Sequence, residues 1–226
     1  MHLRNIRDYA AVLATARAAL LLCEQEATFT WMCILECFAQ YRIQYQIEHF
    51  NWWEALPLQL CYVGMILTPV AIYWKKDFLL AFCAYIVPLG AIMALVFPDP
   101  LFRDFSLLEP RLFLFYLLHI LIIVSSISLI TLGLFQPTFR VIPMCCIAML
   151  VLTFLIHIVN VILRNTVCSY ANYFYTFPED ISILNFFWKL LPLPFVYEIP
   201  LLAILGVWAC SITFFYKLLA GCKKSP

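Results

Sequence analysis

Two residues of this 226-residue chain could together perform nucleophilic chemistry inside a membrane, Cys61 and His119. Cys61 ends the run Leu56-Pro57-Leu58-Gln59-Leu60-Cys61, which predicts the start of a helix because Pro57 suits the first helical position. The thiol would then lie about one turn inside the helix, where unpaired N–H groups favour a thiolate. A histidine could take the thiol proton, so that the sulfur attacks an acyl carbonyl while a third polar group holds the ring. The alternative is that Cys61 is a small packing residue between membrane helices.

The composition of the chain indicates its class. Hydrophobic residues make up 65% and charged residues 12%, and the mean hydropathy is +0.94. A soluble domain could not bury this much apolar surface, so the sequence predicts a polytopic membrane protein. The net charge of +1 argues against a nucleic-acid partner. The ten cysteines form no C-x-x-C pair and no metal-finger spacing, so neither a metal nor another cofactor is expected.

Six apolar runs are long enough to cross a bilayer, which takes about 17–25 residues. They predict an all-α transmembrane bundle with spans near residues 27–47, 56–74, 78–97, 112–134, 141–163 and 198–219. Residues 9–23 form a shorter stretch broken by Arg17, which indicates either a helix lying on the membrane surface or an imperfect seventh span. The chain accordingly divides into an N-terminal segment at 1–26, the bundle at 27–219 and a basic tail at 220–226.

The basic residues predict the orientation of the bundle. With six spans, nine of the 14 Lys and Arg residues lie on one side of the membrane, which leaves five on the other. Since basic loops stay in the cytoplasm, both termini are expected there. The loops after the first, third and fifth predicted spans then share the non-cytoplasmic face.

Polar residues inside the predicted spans gather near that face. With a rise of 1.5 Å per residue, Cys61 lies about 6 Å and His119 about 13 Å from it. The same half of the membrane receives further polar residues of other spans, namely Glu36, Gln40, His157 and Asn160. Because embedded polar side chains usually face a bundle interior or a wet cavity, the sequence predicts a polar pocket open to one face.

These polar residues also have structural interpretations. His119 could hydrogen-bond a neighbouring helix, and His157 with Asn160 could link two helices. Glu36 could be neutral and bonded to Gln40, or it could orient an imidazole. Asn160 or Glu36 could be the group that holds the ring of a catalytic histidine.

The run from Leu56 to Cys61 resembles the Leu-Pro-Leu-x-x-Cys signature of the YwaF-like integral membrane proteins of bacteria. The resemblance covers residues 28–216, although bacterial members often have His where this chain has Gln59. Further matching features follow or precede the signature in the family's order: Glu36, Gln40, Gly90, Pro98, His119, Asn160, Asn172, Tyr173 and Pro178.

Eukaryotic relatives of this family are regarded as cysteine-centred phospholipid acyltransferases. The resemblance therefore implies that Cys61 is a nucleophile and His119 its general base, with an acyl-cysteine thioester as the intermediate. The acyl donor would be a phospholipid or acyl-CoA and the acceptor a lysophospholipid, while attack by water would make the protein a hydrolase. The supporting polar pocket would consist of Glu36, Gln40, Gln59, His157, Asn160, Asn172 and Tyr173.

Two other classes of function stay open. A transporter or a lipid-binding or ligand-binding membrane protein could use the polar pocket without covalent chemistry, and Cys61 would then only pack. A purely structural protein would satisfy its polar residues by pairing, with no cavity. In each case membrane lipid is the expected partner, in the bacterial cytoplasmic membrane or, for a eukaryotic chain, an endomembrane.

Overall fold

The computed structural model describes residues 56–98 and 110–222 of the chain. The predicted span at 27–47 and the weaker stretch at 9–23 therefore lie outside the described residues. Glu36 and Gln40 lie outside them as well.

The described residues form helices and no strand, which confirms the predicted all-α fold. The helices are α1 Leu60–Trp74, α2 Asp77–Val96, α3 Pro110–Thr131, α4 Ile142–Thr166, α5 Ser182–Leu190 and α6 Ile199–Cys222. Short 3₁₀ turns occupy Phe139–Val141, Tyr173–Tyr175 and Val196–Glu198. The sequence did not predict α5, a nine-residue amphipathic helix.

Four segments in the described part of the chain are long and apolar enough to cross a bilayer. They are Asp77–Val96, Leu112–Thr131, Phe139–Thr166 and Val196–Ala220. Together with their apolar, exposed outer faces, they make this a multi-pass membrane protein. The predicted count of six spans is not confirmed by these four.

Helix α1 is shorter than the sequence predicted. It has 15 residues and begins at Leu60, so Pro57 is not its first residue. Gln59 caps the helix in an extended conformation, with φ −71° and ψ 148°. Before it, the Leu58 N–H donates to the Leu56 carbonyl at 2.7 Å, which places Pro57 in a turn. Cys61 is therefore the second residue of α1 and lies in its first turn.

Helix α2 is the centre of the bundle. Every side chain from Leu80 to Pro88 is buried, and the helix packs against α1, α3, α4 and α6. The other candidate spans are about as apolar but less buried, so α2 is the helix that the others surround.

Two glycines let α1 lie directly against α2. A Cβ on Gly64 would be 2.5 Å from Val87 Cγ1, and a Cβ on Gly90 would be 2.6 Å from Leu60 Cδ2. Small residues at such positions allow membrane helices to approach closely. The contact at Gly90 fixes Leu60, the neighbour of Cys61, against the C-terminal half of α2.

We predict that Gly64→Ala destabilises the protein by about 1–3 kcal/mol, because the β-branched Val87 side chain is stiff and cannot make room. The control is Gly206→Ala in α6, where nothing lies within 4 Å of the added carbon. That change should be neutral or stabilise the helix by up to about 1 kcal/mol. Thermal unfolding in detergent measures both, and equal melting temperatures for the two variants would contradict the close contact.

Candidate active site

A cavity of about 390 Å³ lies at the end of the bundle where α1, α3 and α6 begin and α2 ends. Its walls come from these helices, from the middle of α4 and from the connecting residues around 174–175 and 181–184. Most of the lining is aliphatic or aromatic, and a few polar groups interrupt it. Its size and lining are those of a pocket for an apolar small molecule.

Cys61 and His119, from two different helices, both line this cavity, and Gln59 lies beside Cys61 in the same wall. Cys61 is half-buried. Cys61 lies in the first turn of α1, where the helix dipole favours negative charge, while the apolar surroundings of the half-buried thiol oppose it.

The imidazole of His119 is held by its own helix. The side chain is 3% exposed, and its Nδ1–H donates to the Phe115 carbonyl at 2.7 Å. Because a carbonyl oxygen can only accept, the neutral ring carries its proton on Nδ1 and keeps the lone pair on Nε2. The Phe115 ring packs against the imidazole with their centroids 4.3 Å apart. The ring is therefore fixed in the tautomer that can accept a proton at Nε2.

Asn160 uses its whole amide to hold the segment that follows α4. Its Nδ2 donates to the Tyr173 carbonyl at 2.7 Å and to Thr176 Oγ1 at 2.8 Å, and its Oδ1 accepts the Tyr173 N–H at 2.9 Å. His157 Nδ1 lies 3.0 Å from the same Thr176 hydroxyl. Asn160 and Thr176 are fully buried. These residues fasten the segment 172–177 to α4.

Asn172 closes the same segment on itself. Its Oδ1 accepts the Phe177 N–H at 2.9 Å, and its Nδ2 donates to the Phe177 carbonyl at 3.1 Å and to Glu179 Oε2 at 3.0 Å. The described lining of the cavity does not include Asn172, nor does it include His157, Asn160 or Tyr173. The sequence expected Asn160, Asn172 or Glu36 to orient the imidazole; among the described residues, the ring has its hydrogen bond with the Phe115 carbonyl.

The other side of this segment forms part of the cavity wall, through Phe174 and Tyr175. Both have φ of 58°, a left-handed conformation that bulky residues rarely adopt. Surrounding hydrogen bonds must stabilise it, and one comes from Gln59, whose Oε1 accepts the Phe174 N–H at 3.2 Å. Gln59 thus ties the start of α1 to the segment opposite.

Sequence reasoning missed Glu198, the one Asp, Glu, Lys or Arg residue in the described lining of the cavity. Its Oε1 is buried and has no hydrogen-bond partner among the described residues. The available signal was an acidic residue at the first position of the predicted span 198–219, since ionisable residues inside membrane segments usually have a function.

We predict that Asn160→Ala lowers the free energy of unfolding by about 2–3 kcal/mol, because it removes three buried hydrogen bonds between α4 and the segment 172–177. Asn165→Ala is the matched control, since Asn165 lies on the same helix but is exposed and bonds only the Val161 carbonyl. Its effect should stay within about 0.5 kcal/mol. Thermal unfolding of both purified variants tests this, and an unchanged melting temperature for Asn160→Ala would contradict the fastening role.

In a comparison with protein families, residues 9–214 match the model described as the TMEM164 family, a family of transmembrane proteins. No curated protein and no solved structure matches the chain. The match covers most of the chain, including every described residue that lines the cavity. The chain belongs to the TMEM164 family.

Proposed function

We propose that this protein is a lipid acyltransferase that works through a thioester on Cys61, with His119 as the general base. The observation that carries the proposal is that Cys61 and His119 line one largely apolar cavity although they belong to different helices. The resemblance of the run from Leu56 to Cys61 to the signature of the YwaF-like proteins, and through it to cysteine-centred acyltransferases, supports the same assignment.

The first half of the reaction would load the cysteine. His119 Nε2 takes the thiol proton, and the Cys61 sulfur attacks the carbonyl of an acyl ester. A carbon–sulfur bond forms, the ester carbon–oxygen bond breaks, and the leaving alcohol takes the proton from the imidazolium. N–H groups in the first turn of α1 are suited to stabilise the oxyanion that develops beside the sulfur.

The second half would transfer the acyl group to an acceptor. The hydroxyl oxygen of a lysophospholipid attacks the thioester carbonyl, the carbon–sulfur bond breaks, and the hydroxyl proton ends on the sulfur. Attack by water in place of the lysophospholipid would release a fatty acid. The long apolar walls contributed by α2, α4 and α6 suit a fatty acyl chain, which needs no polar partner.

The charges at the two ends of the bundle favour a phospholipid as the donor. In the described part of the chain, the end opposite the cavity carries Lys75, Lys76, Arg140 and Lys217, whereas the cavity end carries Arg111, Arg164 and Lys189. If basic residues mark the cytoplasmic side, the cavity opens on the other side and the C-terminus is cytoplasmic. Acyl-CoA is cytosolic, so a donor on that other side would be a membrane phospholipid.

We expect the purified protein to gain a hydroxylamine-sensitive mass of one acyl group after incubation with labelled phospholipid, as measured by intact mass spectrometry. Cys61→Ala should abolish the gain because it removes the nucleophile. The matched control is Cys210→Ala, since Cys210 is exposed and does not line the cavity. If the wild type gains no mass and Cys61 also resists thiol-reactive probes, the lipid-binding alternative would replace the enzyme.

We further predict that His119→Gln slows the formation of the adduct by a factor on the order of 10²–10⁴, the usual contribution of a general base. His157→Gln serves as the control, because it also replaces a histidine near the cavity but leaves the proposed base intact. Single-turnover acylation followed over time measures both rates. Equal slowing in the two variants would assign the effect to packing and not to proton transfer.

A further inference from the structure

Glu198 lines the cavity, and one of its carboxyl oxygens has no hydrogen-bond partner among the described residues. It ends the 3₁₀ turn Val196–Glu198, directly before α6, and its Oε1 is buried without a hydrogen-bond partner among the described residues. Buried polar groups are normally paired, because an unpaired one loses its hydration without compensation. An unpaired acid that faces a cavity is therefore explained most directly by a ligand that supplies the missing partner.

The backbone around Glu198 is held by hydrogen bonds, so its place in the cavity wall is not the result of a loose loop. The Phe195 N–H donates to the Thr176 carbonyl at 2.7 Å, and the Glu198 N–H donates to the Phe195 carbonyl at 3.2 Å. The fully buried Tyr197 donates its hydroxyl to the carbonyls of Tyr175 and Phe177. These bonds join the turn to the segment 172–177, which Asn160 fastens to α4.

The lining of the cavity limits what the partner of this carboxyl can be. No Lys or Arg belongs to the described lining, so a phosphate drawn deep into the cavity would meet no described cation. A phosphate-bearing headgroup would therefore stay at the mouth of the cavity, where water can solvate its charge. The lipid group that reaches Glu198 would then be uncharged and able to donate a hydrogen bond, and a free glycerol hydroxyl has both properties.

We propose that Glu198 binds the hydroxyl of the lipid acceptor and takes its proton during transfer from the Cys61 thioester, an inference that rests on the proposed function. The hydroxyl donates to the carboxylate. As the oxygen attacks the thioester carbonyl, the proton moves along this hydrogen bond to Glu198. The new carbon–oxygen bond forms, the carbon–sulfur bond breaks, and Glu198 returns the proton to the Cys61 sulfur, directly or through His119. His119 thus serves the loading step and Glu198 the transfer step.

The test separates the two half-reactions. Wild type and variants are loaded from labelled phospholipid in the absence of acceptor, a lysophospholipid is then added, and intact mass spectrometry follows the loss of the acyl group from Cys61. Glu198→Gln should load at a rate within about threefold of wild type and discharge at least about 100-fold more slowly, because an amide keeps the shape but cannot take a proton. Glu179→Gln is the matched control, since Glu179 accepts a hydrogen bond from Asn172 and lies outside the cavity lining.

Each result decides the question. Normal discharge from Glu198→Gln, or equal slowing of loading and discharge, would overturn this inference while the thioester itself stands. A wild type that never loads would overturn the proposed function and the inference with it. As a second variant, Glu198→Leu should discharge as slowly and melt at the same or a higher temperature, because it removes an unpaired buried oxygen; a lower melting temperature would assign Glu198 a structural role instead.

Discussion

The constraint on which the structure depends is that irregular backbone near a bilayer must find its hydrogen bonds inside the protein. The segment 172–177 leaves α4 without continuing as a helix, so its N–H and C=O groups need partners of their own. Asn160 supplies two of these bonds from within α4 and a third to the Thr176 hydroxyl, and Gln59 supplies another backbone bond from the start of α1. The result is a non-helical wall that is firm enough to bound a cavity.

That wall joins the parts of the candidate site. Gln59 connects it to the first turn of α1, which carries Cys61, and Tyr197 connects it to the turn that carries Glu198. Helix α2 supplies the remaining support, because its fully buried central stretch holds α1 and α3 at close range. The thiol, the imidazole and the carboxyl thus come from three regions that share one scaffold. Other cysteines, such as Cys83 and Cys145, are buried in the core and face no such opening.

The sequence could predict α2, α3, α4 and α6, because a long run of apolar residues is visible along the chain without knowledge of its contacts. It could also predict that Cys61 and His119 lie in the same half of the membrane, since depth follows from the rise per residue. The depth of a residue in the membrane does not determine which neighbouring element its side chain contacts. Asn160 and His157 lie in the half of α4 nearer the cavity end, but they bond the segment 172–177 and do not line the cavity. Their partners come from residues up to 19 positions away, which no local pattern reveals.

The start of α1 and the environment of Glu198 are two further features that the sequence pattern does not reveal. Pro57 suits a first helical position, yet the turn between Leu56 and Leu58 delays the helix until Leu60. In the sequence, Glu198 looks like an ordinary acidic residue at the start of a helix. Only the structure shows that its Oε1 is buried without a hydrogen-bond partner among the described residues. Both features depend on tertiary contacts, so a pattern along the chain cannot decide them.

The shortness of α1 has a consequence for the surrounding membrane. A 15-residue helix rises about 22 Å, whereas the hydrocarbon core of a bilayer is about 30 Å thick. If α1 crosses the bilayer, the difference would be met by local thinning of the bilayer or by a helix end that lies below the headgroups. Either adjustment shortens the distance, measured along the membrane normal, between the ester groups of the lipids and the start of α1. A lipid could then reach this end of the bundle by lateral diffusion within its own leaflet.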